Sequence, residues 1–199
     1  MVERCVPADP GSAADVPLTP QVRRTLILLT SIATLSTAEA QSTPATDSCR
    51  SDANARALDF WVGEWTVRQS GKTAIDGTDR VEQILGGCAV LEHWVGTSVG
   101  DVGESFFYFV PASHRWKQIW TTPHAAMLGG LKEKELIAVY SDHGVRFQGN
   151  LATPSGATVI DRTTLTPLSD GTVHQVIEVS RDGGRTWVVS YDAIYTRKS

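Results

Sequence analysis

From Phe60 to the C-terminus the chain runs in short stretches where apolar and polar residues alternate, rich in β-branched and aromatic side chains and separated by glycine. A two-residue period sends successive side chains to opposite faces of a strand, whereas the three- and four-residue spacing of an amphipathic helix is nearly absent. The pattern predicts strands at about 60–69, 79–86, 89–97, 104–111, 114–121, 126–131, 135–141, 144–151, 157–166, 172–180 and 186–197. The intervening segments SGK, AIDGTD, LGGC, VPASHR, SDHG, TPSG, LSDG and SRDGG place Gly, Asp or Pro where a chain reverses, so most connections are hairpins.

That many hairpin-linked strands in one open sheet would leave two long edges and curl strongly. Closure into an up-and-down antiparallel barrel of about ten strands resolves both problems. A jelly roll needs long crossovers, for which few segments offer themselves. A propeller needs a repeat near forty residues, and none is present.

The stretch LDFWVGEWTV, residues 58–67, is expected to open the barrel, with Gly63 bending the backbone and an indole sealing one end. In the final segment TWVVSYDAIYTR, alternation places Trp187, Val189, Tyr191, Ala193, Tyr195 and Arg197 on one face. A closed meander pairs its last strand with its first, which predicts Arg197 stacked on Trp65. GEW at Gly63 to Trp65, together with Arg197, resembles the GxW and terminal Arg of the lipocalin and calycin superfamily. LDFWVGEWTV, GGCAVLEHW, RWKQIW and SRDGGRTW, taken in order, resemble a group of exported bacterial lipocalin-like proteins of unknown function, over roughly residues 49–197. The resemblance implies a lipocalin-like barrel with a central cavity and no particular activity.

Residues 1–40 read as a polar extension followed by an export signal: Arg23 and Arg24, the apolar run Thr25 to Thr37, then Ala38 and Ala40 as a small-residue cleavage site. The mature chain is expected to begin at Gln41, with a short arm over 41–57 and the barrel over 58–199. Translation is expected to start near Val22, and the product to be periplasmic or secreted. The apolar run is too short to span a bilayer, and nothing later is apolar for long enough. Of the three cysteines, Cys5 leaves with the leader, and Cys49 and Cys88 are expected to be bridged in an oxidising compartment. Loop entropy values such a bridge at about 4 kcal/mol. The formal net charge of −4 becomes −3 once the leader's three arginines and four acidic residues are removed. That balance argues against nucleic acid or an anionic membrane as partner.

Candidate chemistry is sparse. GTSVG around Ser98 matches the nucleophile pattern GxSxG, but a strand rather than a helix follows, so a hairpin loop is expected. Asp182 in SRDGGRTW reads as the carboxylate that braces a tight turn. The histidines His93, His114, His124, His143 and His174 lack ligand spacing, so no metal site is expected. Haem-binding barrels of related type would need an axial ligand, His174 or His124 here. The chain lacks their glycine and aromatic pattern near the first strand, and no cofactor is expected.

The informative residues are polar groups set among aromatics within strands. Glu92, Trp94, Tyr108, Trp116, Gln118, Trp120, Arg162 and Gln175 are expected to face inward and line a ligand cavity, with Arg162 as the partner of a buried Glu92. The reading that follows is an exported barrel binding a small hydrophobic molecule without transforming it, with no catalytic residue assigned. Two alternatives stand beside it. One is an isomerase, lyase or hydratase using an inward carboxylate, Glu92 or Asp161. The other is a periplasmic interaction module with a filled core.

Overall fold

Period-two alternation over successive segments closes into a single cylinder. The computed structural model describes residues 49–124, 131–153 and 155–198. Its ten strands among the described residues are β1 (Gly63–Gln69), β2 (Gly77–Ile84), β3 (Ala89–Gly96), β4 (Val102–Val110), β5 (Arg115–Thr121), β6 (Leu131–Val139), β7 (Val145–Ala152), β8 (Thr158–Pro167), β9 (Val173–Ser180) and β10 (Val188–Arg197). Each pairs antiparallel with its sequence neighbours, and β10 returns to β1, so the barrel is closed and up-and-down. The expected strand at 126–131 lies outside the described residues except for Leu131, which belongs to β6 together with most of the expected strand 135–141. The expected leader also lies outside the described residues. No helix among those described is long and apolar enough to cross a membrane.

Closure is fixed by the pairing of Trp65 with Arg197. The Arg197 guanidinium carbon lies 4.4 Å from the centre of the Trp65 ring, and Arg197 also donates from Nη1 to the Val62 carbonyl at 3.2 Å. Gly63 sits at φ 151° against this guanidinium, and a Cβ there would stand well inside van der Waals contact of Arg197. The glycine is therefore required twice, by its backbone and by its neighbour.

Trp61, expected in the first strand, instead lies in a 3-10 turn, Asp59–Trp61, that precedes it. The turn aims the indole across the base of the barrel, where Trp61 meets Phe107 edge to face with ring centres 5.4 Å apart. Trp65 donates from Nε1 to the Trp61 carbonyl at 2.9 Å, and Trp116 donates to the Asn54 carbonyl at 2.9 Å. Burying an indole of roughly 200 Å² is worth about 5 kcal/mol, so this plug is a large part of the core. A disulfide between Cys49 and Cys88, 39 residues apart in sequence, ties the segment to the β2–β3 turn.

The last strand departs from simple alternation. Val189 pairs with Glu178 and Tyr191 with Ile177, so Ser190 is an extra, bulged residue. The bulge reverses the facing of everything before it. Tyr191, Ala193 and Tyr195 keep the expected inward side, but Trp187 turns outward, beneath the Arg162 guanidinium at 3.7 Å.

Candidate functional site

Above the plug, the inward positions of successive strands are polar. Asp79 on β2, Glu92 on β3, Ser105 on β4, Gln118 on β5, Lys134 on β6, Thr163 on β8 and Gln175 on β9 are all buried. They form a belt around the middle of the barrel. Beyond it lies a cavity of about 460 Å³, walled by Trp94, Trp120, Lys132, Asp161, Ile177 and Tyr191 among others. It reaches solvent at Asp101 and Ser190, both exposed. The interior is thus not packed solid, and its size is that of a small-molecule site.

Glycines make room for the aromatic walls. A Cβ on Gly103 would intrude on the Trp120 ring, and one on Gly77 would meet the Trp94 ring at 2.5 Å. Trp94 is further held by a hydrogen bond from its Nε1 to Asp101 Oδ1 at 3.2 Å. On the β10 side, the Tyr191 hydroxyl donates to Asp76 Oδ2 at 2.7 Å, and the Tyr195 hydroxyl donates to Gln175 Oε1 at 2.9 Å.

The charged groups divide by wall. On β6, Lys132 donates to Asp161 Oδ2 at 2.8 Å, and Lys134 pairs with Asp161 Oδ1 and donates to Thr163 Oγ1. Burial pulls the Lys134 ammonium down to about 8, against the opposing pull of Asp161. On the other side, burial pushes Glu92 up to about 7, resisted by its hydrogen bond with Ser105 and by the Lys134 charge. Asp79 is pushed up to about 9, by burial first and then by the Glu92 charge. Neither Asp79 oxygen has a hydrogen-bond partner. The Arg80 backbone N–H draws the carboxyl weakly the other way. Gln118 donates from Nε2 to Ser105 Oγ at 3.1 Å, while its Oε1 is left without a partner. Among the described residues, no group of three or more His, Cys, Asp or Glu is arranged to hold a metal ion.

Of the residues expected from the sequence, Glu92, Trp94, Gln118, Trp120 and Gln175 meet at this cavity. Three do not. Trp116 points inward but belongs to the plug below the cavity. Tyr108 lies on the outer wall, because Phe107 and Phe109 take the inward positions of β4. Arg162 also faces outward, where it holds Glu178 through two hydrogen bonds of 2.7 and 2.9 Å. Its neighbour Asp161 takes the inward place, so the cation nearest in charge to Glu92 is Lys134.

The structure also adds Asp79, Lys132, Lys134 and Thr163 to the site. Alternation could have found Asp79, two residues before buried Val81, whereas Lys132 and Lys134 fall in the gap between two expected strands that are one strand in the fold. The remaining expectations fall outside the cavity. Ser98 lies in the β3–β4 hairpin loop, with no helix following. Asp182 accepts from the Arg185 and Thr186 backbone N–H groups at 3.0 and 2.9 Å. His174 is on the outer wall against Asp192, and His124 is exposed in the loop after β5.

No protein-family model matches the chain, and no curated protein matches its sequence. Barrel geometry carries the classification: a closed antiparallel cylinder of ten strands, consistent with a calycin-like fold.

Proposed function

We propose that this protein is an exported, lipocalin-like barrel that binds a small molecule in its cavity. The observation that carries this reading is the polar belt facing a 460 Å³ space. Burying polar groups without partners costs on the order of 1–3 kcal/mol each. A barrel built only for stability would fill these positions with apolar side chains, as the layer below does. The ligand that suits the walls is amphipathic. Its body lies against Trp94, Trp120, Ile177 and Val179, and its polar group reaches Glu92, Gln118 and Lys134. A wholly apolar molecule would strip water from these groups and replace none of their hydrogen bonds.

Native mass spectrometry of the protein from its own host tests the reading. A retained mass that is released on unfolding, and is reduced in a Trp120→Ala variant, is the expected result. A barrel carrying only water, with no saturable change in tryptophan fluorescence across a small-molecule library, overturns it.

A second reading rests on Glu92 itself. A carboxyl held near neutrality by burial, beside the Ser105 hydroxyl and open to a cavity, is suited to move a proton to and from a substrate carbon or oxygen. An isomerase, lyase or hydratase activity follows. Incubating the retained molecule with the protein in D₂O decides this: deuterium uptake that disappears in Glu92→Gln supports acid–base catalysis, and unchanged ligand limits the protein to binding.

A further inference from the structure

The atoms the barrel leaves unsatisfied describe what it takes in. In and immediately behind the cavity, the buried side-chain atoms without any hydrogen-bond or ion-pair partner among the described residues are Asp79 Oδ1, Asp79 Oδ2 and Gln118 Oε1. Gln118 Oε1 is an acceptor as it stands, and both Asp79 oxygens become acceptors once a neighbouring cation draws the proton off this carboxyl. Asp161 Oδ1 is already faced by Lys134, and the unpartnered Trp61 Nε1 lies below in the plug. What is missing is therefore hydrogen-bond donors.

Charge points the same way. Asp79 pairs across the sheet with Trp94, and Glu92 occupies the next inward position of β3. Asp76 and Asp101 extend the same side toward solvent. The charged groups acting on Asp79 are Glu92 and Glu104, with no cation among them. The lysines stand on β6 and are engaged by Asp161 and Thr163. Aromatic faces complete this side, with Trp94, Tyr191 and Tyr195 around the carboxyls. Carboxyls among aromatic rings form the chemistry that recognises a positively charged nitrogen.

We infer that the ligand carries a cationic amine, which sits against Glu92 and Gln118 with Asp79 behind it and is flanked by Trp94 and Tyr191. This deepens the binding reading above and rests on it. An ammonium group supplies an N–H donor to Gln118 Oε1 and a positive charge in front of Asp79, whose charged neighbours Glu92 and Glu104 are both acidic. The opposite arrangement is disfavoured at the acidic wall, because a ligand carboxylate there would face the Glu92 and Asp79 carboxyls.

Three probes of one shape and different charge test the inference: benzylamine, benzyl alcohol and benzoate. Binding is followed by titration calorimetry and by the indole N–H signals of Trp94 and Trp120 in NMR spectra. Benzylamine is expected to bind about tenfold more tightly than benzyl alcohol, the difference that one charge-assisted contact supplies, and benzoate more weakly than either. Glu92→Gln and Asp79→Asn, each checked for unchanged circular dichroism, are expected to bring the amine and alcohol together. Equal binding of amine and alcohol, or a preference for benzoate, overturns the cationic assignment while leaving a ligand cavity in place. Unchanged amine preference in both variants overturns the site. If none of the three shifts either indole signal, the amine inference falls, and the retained-mass experiment separately decides whether the barrel binds anything.

Discussion

Replacing Asp79 by Asn removes a titrating group from the barrel interior with almost no change of shape. In an unfolded chain this carboxyl titrates at 3.8, and in the fold it is pushed up to about 9. Between those values the folded protein holds a proton that the unfolded chain has released. Stability from this group is therefore whole below pH 3.8, falls as pH rises, and is fully lost above about 9. Each pH unit inside the window costs at most about 1.4 kcal/mol, so the burden at pH 7 is on the order of 4 kcal/mol. That is a large share of the total stability of an ordinary domain. Asn cannot ionise and leaves the same buried amide-sized group, so the variant is expected to match the parent near pH 4 and to exceed it by several kcal/mol at pH 8. Urea unfolding of ligand-free protein, followed by tryptophan fluorescence at a series of pH values, measures this directly, with equal m-values as the check on comparability. Glu92 titrates in an overlapping window, so a shallower slope is expected to persist in the variant. A variant with the parent's full pH slope, or one less stable than the parent at pH 8, would refute the reasoning.

Other perturbations probe the rest of the frame. Replacing Cys49 and Cys88 together by Ser frees a 39-residue loop; the expected loss of about 4 kcal/mol lowers the melting temperature by on the order of 10 °C in calorimetry. Gly63→Ala forces a side chain onto a φ of 151° and into Arg197, and is expected to cost about 2 kcal/mol or more by chemical denaturation. Gly103→Val displaces the Trp120 ring it now touches. A shifted fluorescence maximum and weaker uptake of whatever the cavity retains are expected, and unchanged uptake would remove Trp120 from the binding wall.

The architecture was legible because two-residue alternation and turn chemistry repeat along the whole chain, so that one misplaced boundary changes little. The site was legible only where a polar residue stands between apolar ones of known facing, as with Glu92 and Gln118. In the run Phe106 to Phe109 every side chain is aromatic, so nothing in the pattern marks Tyr108 as outward. Asp161 and Arg162 are adjacent charges, and only pairing register decides which enters the barrel. Lys132 and Lys134 fell between two expected strands that are one strand in the fold, and so lost their facing altogether. The bulge at Ser190 inverts Trp187 without any glycine to announce it. Each miss has the same origin: facing depends on where pairing begins, a long-range property that local composition does not carry.

Among the described residues, the stopper of indoles closes the floor of the cylinder, and the cavity opens at the opposite end, beside Asp101 and Ser190. On the binding reading proposed above, a guest resting beside Glu92 would pass Trp94 and Trp120 on its way in and out, and these two rings would then set its residence time. A partner that hands over or collects such a guest would then meet the barrel at the end where the β3–β4 and β9–β10 hairpins stand.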